Sequence, residues 1–327
     1  MAKDVLYTNG IIAVKETALL GARLFKLSEG TAEEAFRALK EGGFGHGAEA
    51  ESVYETEKLI AADERDICAF VREYAPTNAV LEYFLTPYDF HNAKAVFKAE
   101  KLSESSADML APEGLFTCAQ LEEAVKDKNY SALNKELKGA FEEAEGLYAE
   151  EESEKAVSGA DVGRIFDAAA YKRLFKACGK FGVLKKLLKA RVDMINILTF
   201  LRAQTPEYAE VFYIQGGKLG LETLKTLCDE NEEKVLHALN KTDYADFLKL
   251  CLADKNAGLP MTEAEKFLDG FELDFLAKKK YELKNTQPFL YYVFRRKAEN
   301  ANVRILTGGL LAGMDERGIK RRLRGAE

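Results

Sequence analysis

One polar pattern recurs three times along this chain at nearly equal intervals. Each copy is an acidic residue followed three positions later by asparagine. The copies are Asp89 with Asn92, Asp193 with Asn196, and Glu299 with Asn302. The asparagines are 196 − 92 = 104 and 302 − 196 = 106 residues apart, close to a third of the 327-residue chain. The interval predicts three similar modules in a pseudo-threefold arrangement, over approximately residues 1–112, 113–215 and 216–327, with the terminal pieces completing one another.

The composition indicates that these modules are helical. Alanine, leucine, glutamate and lysine dominate, and all four are strong helix formers. The chain has only 6 prolines, and the β-branched runs typical of strands are almost absent. An apolar fraction of 47% is that of a folded chain with a core. We therefore expect an all-α protein.

Apolar residues at helical spacing place each copy of the pattern in a long helix. The predicted helices run over residues 85–102, 183–203 and 288–307. Pro87 suits the first turn of the first of these helices, so we expect a separate short helix over residues 79–85 before it.

Helix ends and turns are predicted from threonine and glycine. Thr31 and Thr117 are expected to cap helices, and Thr262 to begin a capping box. The glycine-rich run over residues 42–47 lacks a phosphate-loop pattern and has no strand before it, so it is interpreted as a helix terminator and turn.

A glycine follows each of the first two copies at almost the same distance. Gly114 comes 114 − 92 = 22 residues after Asn92, and Gly217 comes 217 − 196 = 21 residues after Asn196. The match is loose in the surrounding residues, but its position supports a repeat.

Aspartate and asparagine are poor residues for a helix interior, because their side chains compete for nearby backbone groups. Their recurrence therefore requires a compensating tertiary hydrogen bond. Three roles are open: a module seam, a direct contact with a partner, or catalysis. Basic residues near the pattern or at the C-terminal end are further candidates for seam or partner contacts. They are Lys94, Arg202, Arg304, Arg317, Lys320 and Arg321.

Several function classes receive no support from the sequence. The formal net charge of −7 argues against a general nucleic-acid binder. The 5 cysteines form no C-x-x-C pair, the 3 histidines lack zinc-site spacing, and no nucleophile elbow or Walker sequence occurs. No apolar run approaches the roughly 18 to 20 residues that span a bilayer. We expect no catalytic residue, metal, cofactor or membrane span. The Glu-rich residues 142–154 and the basic C-terminal end suit solvated helix faces or, for the basic end, contact with an acidic partner, and the sequence does not decide the role of the Glu-rich segment.

Several stretches follow one another in a characteristic order. They are Tyr7-x-Asn9, Tyr88-Asp89-Phe90-His91-Asn92 with Lys94, Asp193-Met-Ile-Asn196, Phe212-x-x-Gln-Gly-Gly-Lys-Leu219, and Glu299 to Leu310. Together they resemble the C subunit of the bacterial and archaeal V-type (A-type) ATPases, whose eukaryotic counterpart is the d subunit. The resemblance extends from Tyr7 to Leu323. It departs from the family pattern at Glu299, where aspartate is expected, and in the lack of a basic residue soon after Asn9.

The resemblance implies a non-enzymatic, funnel-shaped body on the cytoplasmic face of a membrane. Its partners would be the central shaft and the membrane rotor ring, and it would couple ATP hydrolysis or synthesis to proton or sodium transport. The residues alone also leave open a free-standing helical-repeat scaffold or a helical-bundle enzyme. They decide neither the ion, nor the direction of operation, nor which residues touch the shaft and the ring.

Overall fold

Every regular element in the described part of the chain is helical. The computed structural model describes residues 4–112, 114–149, 157–203, 205–229, 231–258 and 261–325. The prediction of an all-α protein is confirmed, whereas the pseudo-threefold funnel stays a prediction. The Glu-rich segment belongs to a helix up to residue 149, and its remainder lies outside the described residues.

The helices follow one another with short connections. Those in the first half are α1 Val5–Lys15, α2 Arg23–Leu27, α3 Ala32–Glu41, α4 Thr56–Tyr74, α5 Asn78–Leu102, α6 Cys118–Lys126, α7 Lys135–Ala149 and α8 Gly159–Cys178. Those in the second half are α9 Gly182–Arg202, α10 Pro206–Val211, α11 Leu221–Lys225, α12 Glu232–Leu239, α13 Ala245–Asn256, α14 Thr262–Ala277, α15 Gln287–Leu311 and α16 Glu316–Arg322. Short 3₁₀ turns cover Glu16–Ala18, Val53–Glu55, Ala107–Met109 and Thr226–Cys228.

Two compact units divide the chain. Unit 1 comprises Met1–Thr77 together with Leu236–Glu327, and unit 2 is the continuous stretch Asn78–Val235. Unit 1 therefore joins helices from both ends of the sequence, whereas unit 2 is built from neighbours in sequence. The three-module boundaries rest on the repeat and stay a prediction.

The core of unit 2 is aromatic. Its helix α5 packs against α6 and α8, and α7 packs against α8. Phe97, Phe141 and Phe166 come from three of these helices and are 0% exposed, with ring centroids 5.1 to 6.0 Å apart. Such ring pairs add about 0.5–1.5 kcal/mol each beyond the burial of their area. This cluster fixes α5, the helix that carries Asp89 and Asn92.

The core of unit 1 joins distant parts of the sequence. Helix α15 packs against α14 and against the N-terminal helices α1, α3 and α4. Leu39 of α3, Leu59 of α4 and Leu306 of α15 belong to one buried cluster and are at most 1% exposed. Burying a leucine side chain contributes about 1.5–3 kcal/mol. Helix α15 is therefore held by residues more than two hundred positions away.

Helix α5 is continuous from Asn78 to Leu102 and has Pro87 in its interior. The prediction of a separate short helix before Pro87 is wrong. Proline removes one helical hydrogen bond and crowds the carbonyl four residues earlier, which costs about 3 kcal/mol or more. Phe84, Leu85 and Phe90 flank it and are at most 3% exposed, so core packing on both sides offsets this cost.

The predicted helix starts have mixed outcomes. Thr31 and Thr117 both form capping boxes, as expected. The capping box predicted at Thr262 is wrong, because this residue is the first of α14 and provides no side-chain cap. Asp254 of α13 takes that place, since its Oδ2 accepts the N–H of Glu263 at 3.0 Å. A tertiary contact thus replaces the local one.

Candidate functional site: three buried clamps

The first copy of the pattern binds backbone groups that follow its own helix. Asp89 of α5 accepts a hydrogen bond from the N–H of Phe116 at 2.9 Å. One turn later, Asn92 accepts from the N–H of Ala111 at 2.8 Å and donates to the carbonyls of Ala111 and Pro112 at 3.2 and 3.3 Å. Both side chains are 0% exposed. We call this acidic residue and asparagine, with the backbone they bind, the first clamp.

The second clamp repeats this arrangement on α9. Both carboxylate oxygens of Asp193 accept the N–H of Lys218 at 2.9 Å, and Oδ1 also accepts that of Leu219 at 3.0 Å. Asn196 accepts from the N–H of Ile214 at 3.0 Å and donates to its carbonyl at 2.8 Å. Both side chains are again 0% exposed. The same two residue types therefore satisfy the same kinds of backbone group in both copies.

Two glycines make the first two clamps sterically possible. A Cβ atom at Gly114 would lie 2.2 Å from Oδ1 of Asp89, and one at Gly217 would lie 2.0 Å from Oδ1 of Asp193. Atoms at such distances overlap, so only glycine lets the backbone approach the carboxylate this closely. The similar spacing of the two glycines in the sequence has this physical reason.

The third clamp, on α15, takes its partners from both ends of the sequence. Glu299 Oε1 accepts the N–H of Gly21 at 3.0 Å. Asn302 accepts from the N–H of Arg324 at 2.7 Å and donates to its carbonyl at 2.8 Å. Gly21 has a φ of +47°, so it provides a left-handed backbone conformation instead of space for the carboxylate.

The third clamp also differs in its electrostatics. Burial raises the pKa of Glu299 above its ordinary value of 4.5, and the backbone N–H groups of Gly21 and Leu20 oppose that rise. Arg295 adds a further opposing charge, with its Nε 3.7 Å from Oε1 of Glu299. The ionised carboxylate is thus held by few groups in a poorly solvated place.

The partners of the clamps follow the predicted module boundaries in a cyclic order. The carboxylates of the first, second and third clamps bind at Phe116, Lys218 and Gly21, each in the next predicted module. The asparagines bind at residues 111, 214 and 324, each within its own predicted module. We therefore propose that the clamps are module seams, at which each module holds the start of the next. Their burial favours this role over direct contact with a partner.

The basic candidates Lys94 and Arg304 lie in ion pairs. Lys94 Nζ lies 2.7 Å from Oδ1 of Asp167, and Arg304 makes two hydrogen bonds of 2.7 Å to Glu57. Both pairs join residues of different predicted modules. Arg202, at the end of α9, is exposed. Exposed pairs of this kind contribute about 0–1 kcal/mol each, so they add little to the stability of the proposed seams.

The basic C-terminal residues are mostly engaged within unit 1. Lys320 Nζ lies 3.1 Å from Glu29, and Arg321 Nε lies 2.6 Å from Glu263. Arg317 is exposed. The structure does not bring these residues together with the clamps into one site.

Two features were missed by reasoning from the sequence. Asn9 of α1 is 2% exposed and donates to the carbonyls of Leu283 and Asn285 at 2.7 and 3.0 Å. Its signal was an asparagine inside an otherwise apolar helix. The second feature is an ionic cluster around His46, whose partners lie on α4, within about 20 residues, and on α15, 250 residues away.

Within the described residues, no group of three histidine, cysteine or acidic side chains is arranged to hold a metal ion. No helix in the same part of the chain is long and apolar enough to cross a membrane.

Comparison with known proteins identifies the family of this chain. A model of the ATP synthase (C/AC39) subunit family matches residues 8–322. The chain belongs to this family. The C subunit of the V-type sodium ATPase of Enterococcus hirae is 23% identical over 294 residues, which cover 86% of this chain and 83% of that protein. The resemblance to the C subunits of the V-type ATPases is therefore confirmed.

Membership of the C/AC39 family also decides between classes of function. The C subunit is an accessory part of an ATPase and not its catalytic one, so the chain is not itself an enzyme. The buried clamps fit such a role, because their carboxylates and asparagines bind backbone groups and so hold the chain.

Proposed function

We propose that this member of the C/AC39 family is the non-catalytic central-stalk adaptor of a rotary V-type ATPase. It links the rotating shaft to the membrane rotor ring and so couples ATP hydrolysis or synthesis to proton or sodium transport. The observation that carries the proposal is the family match over residues 8–322. The relative in Enterococcus hirae is named for sodium, and the proposal for this chain covers both ions.

The clamps support a role in transmitting torque. A part that passes torque between a shaft and a ring must deform little, so its loops must be tied to its helices. Each clamp ties loop backbone to a long buried helix through a carboxylate and an asparagine. Hydrogen bonds to a charged group contribute about 1.5–3 kcal/mol each.

We place the chain on the cytoplasmic face of the membrane, as a peripheral subunit held through the rotor ring. Its partners are then the shaft on one side and the ring on the other. Among the basic candidates, Arg317 is exposed on α16, and we propose it as a contact with a partner. It suits an acidic surface on that partner, because a rim charge of this kind mainly sets the rate of association.

The proposal is tested by recovering the chain with its partners. An affinity-tagged chain, purified from detergent-solubilised membranes of the cells that make it, is expected to bring down shaft and ring subunits. Deletion of the chain is expected to abolish ATP-driven ion transport into membrane vesicles while the ATPase head still hydrolyses ATP. Recovery of the chain alone, or unchanged transport after deletion, would favour a free-standing scaffold and overturn the proposal.

A charge reversal tests the exposed basic residues separately. Arg317→Glu is expected to lower the yield of co-purified partner subunits, most clearly at low salt, because like charges then face each other. The matched control is Arg37→Glu, which reverses another exposed arginine of unit 1. Equal yields from both variants would remove Arg317 from the interface.

A further inference from the structure

A cavity of about 250 Å³ in unit 1 is lined by an unusual number of titratable groups. It lies between the loop that follows α3, the helices α4 and α15, and the end of α1. The titratable residues that line it are Lys15, His46, Asp63, Asp66, Tyr292, Arg296 and Glu299. Only Glu299 belongs to a clamp, so the others need a separate explanation.

At the centre of this group is a compact ionic cluster. The guanidinium of Arg296 bonds to Asp66 at 2.6 Å through Nη1 and to Asp63 through Nη2. The ring Nε2 of His46 lies 2.9 Å from Oδ1 of Asp63 and 3.2 Å from Nη2 of Arg296. Arg296 and Asp63 are 7% and 5% exposed, whereas the ring of His46 is 43% exposed. The ring of His46 and the carboxylate of Asp66, which is 34% exposed, are therefore the members of the cluster that solvent reaches.

The charge balance of the cluster depends on this histidine. When His46 is neutral, the two carboxylates of Asp63 and Asp66 face one cation, Arg296. When His46 is protonated, they face two cations, and Nε2 donates its hydrogen to Asp63 instead of accepting one from Nη2 of Arg296. The side chain of Asp63 is only 8% exposed, so an uncompensated charge on it is costly, and the protonated form of His46 matches the site better.

The backbone conformation of His46 is a second observation that points to a role for its side chain. Its φ of +50° lies in the left-handed region, where non-glycine residues are strained. The neighbouring Gly45 packs so closely on α4 that a Cβ there would lie 2.8 to 3.0 Å from atoms of Leu59. The loop is thus pressed against α4, and the contacts of His46 offset the strain of its conformation.

We propose that His46 is a proton-dependent latch, which ties the glycine loop over residues 42–47 to α4 and α15 when it is protonated and loosens the loop when it is neutral. The latch is independent of the adaptor function, and either can fail without the other. Other charges face the same cavity: Lys15 from α1, and Glu299 with the phenol of Tyr292 from α15. Lys15 and Glu299 add one charge of each sign when both are ionised, so they leave the balance unchanged.

The direction of the pH dependence follows from the same contacts. The hydrogen bond to Asp63, together with the charge of Asp66, raises the pKa of His46 above its ordinary value of 6.5, while burial and Arg296 oppose the rise. A raised histidine pKa contributes stability that is fully present below the ordinary value. That stability is lost as the pH rises through the folded-state pKa.

Thermal unfolding of matched variants tests the latch in the full chain. The Tm of the wild type minus that of His46→Gln is expected to fall by about 3 °C between about pH 5.5 and about pH 8.5. The control is His91→Gln, because His91 is exposed on α5 of unit 2, where its ring Nε2 lies 3.1 Å from the carbonyl of Met109. Its Tm difference from the wild type measures what the same substitution does at an exposed histidine outside the cluster.

A second measurement uses the wild type and therefore does not depend on whether a variant folds. The ring signals of the 3 histidines are followed by NMR during a pH titration of the wild type. The signal of His46 is expected to have its midpoint above 6.5, and the amides of residues 42–47 are expected to shift with the same midpoint. A midpoint at or below 6.5, or loop amides that do not follow it, would overturn the latch. A Tm difference for His46→Gln that is constant with pH would do the same.

Discussion

The first two clamps are local, whereas the third joins opposite ends of the sequence. Asp89 binds a backbone group 27 residues away, and Asp193 binds groups 25 and 26 residues away. Glu299 binds Gly21, which is 278 residues away. One set of side chains and one kind of backbone partner thus serve both for holding a nearby loop and for joining distant segments.

The third clamp also differs from the first two in the entropy cost of bringing its partners together. Loop-closure entropy grows as (3/2)RT times the logarithm of the loop length, so the third contact costs about 2 kcal/mol more to close than the first. Its glutamate has one more methylene group than aspartate and therefore a longer reach. The larger closure cost and the raised pKa of Glu299 both make the third clamp the weaker one.

The largest expected effect comes from filling the space that the glycines keep open. Gly217→Ala would place a methyl group 2.0 Å from Asp193 Oδ1 and displace the loop that it holds. We expect a loss of at least about 4 kcal/mol in the free energy of unfolding, from overpacking together with lost charge-assisted hydrogen bonds. Urea denaturation measures it.

The control for this prediction is Gly139→Ala in α7. A Cβ at Gly139 meets nothing within 4 Å, and alanine is the better helix former, so we expect a gain of up to about 1 kcal/mol. A loss at Gly217 no larger than about 1 kcal/mol would contradict the close approach that defines the local clamps.

Substitutions of the asparagines compare the second clamp, which is local, with the third clamp. Asn196→Ala removes two hydrogen bonds to Ile214, of 2.8 and 3.0 Å, and is expected to cost about 2–3 kcal/mol. Asn302→Ala removes two hydrogen bonds to Arg324, of 2.7 and 2.8 Å, and is expected to cost about the same, because Ile214 and Arg324 are both half-buried. Hydrogen exchange at the amides of residues 214 and 324 should therefore be accelerated to a similar extent by the two substitutions. A clearly smaller effect of Asn302→Ala would mean that the third clamp is also the weaker one at its asparagine.

Substitutions at Glu299 test the reach and the charge of the third clamp. Glu299→Asp shortens the side chain, so we expect loss of the hydrogen bond from Gly21 and a cost of about 1–2 kcal/mol. Glu299→Gln keeps an oxygen for Gly21 and removes ionisation. The raised pKa of Glu299 makes the free energy of unfolding fall as the pH rises from 4.5 through the pKa of the folded state. Glutamine does not ionise, so the contribution of residue 299 to this fall should disappear in the variant. Thermal unfolding across that range checks both results, and a glutamine variant with an unchanged pH profile would refute the assignment.

The smallest effect is expected at the ion pair between Arg304 and Glu57. Their side chains are 52% and 65% exposed, so solvent and salt screen the attraction. A double-mutant cycle with Arg304→Gln and Glu57→Gln should give a coupling below about 1 kcal/mol that shrinks further in high salt. A coupling above about 1 kcal/mol would mean that this ion pair contributes measurably to the stability of the proposed seam.

The sequence was sufficient for the fold class and for the polar positions of the clamps. Helix formers and apolar spacing predicted the all-α fold, and the interval between asparagines identified Asn92, Asn196 and Asn302 as related. The partners could not be predicted, because any residue offers a backbone N–H and nothing in its identity marks it as bound. The contact between Glu299 and Gly21 is the extreme case, since no local pattern links them.

Tertiary packing explains the remaining errors. Pro87 was expected to begin a helix because of its intrinsic cost inside one, but buried neighbours outweigh that cost. The ionic cluster of His46, Asp63, Asp66 and Arg296 combines three separate segments, so no window of the sequence contains it.

The third clamp has a consequence for biosynthesis. A ribosome adds roughly 5–20 residues per second, so the 278 residues between Gly21 and Glu299 take roughly 15–55 seconds to make. During this time the N-terminal helices of unit 1 have emerged without the helix that covers them, and their apolar faces are open to chaperones. Unit 2 is continuous and can pack while translation proceeds, so the first part of this chain to be made belongs to the last unit to be completed.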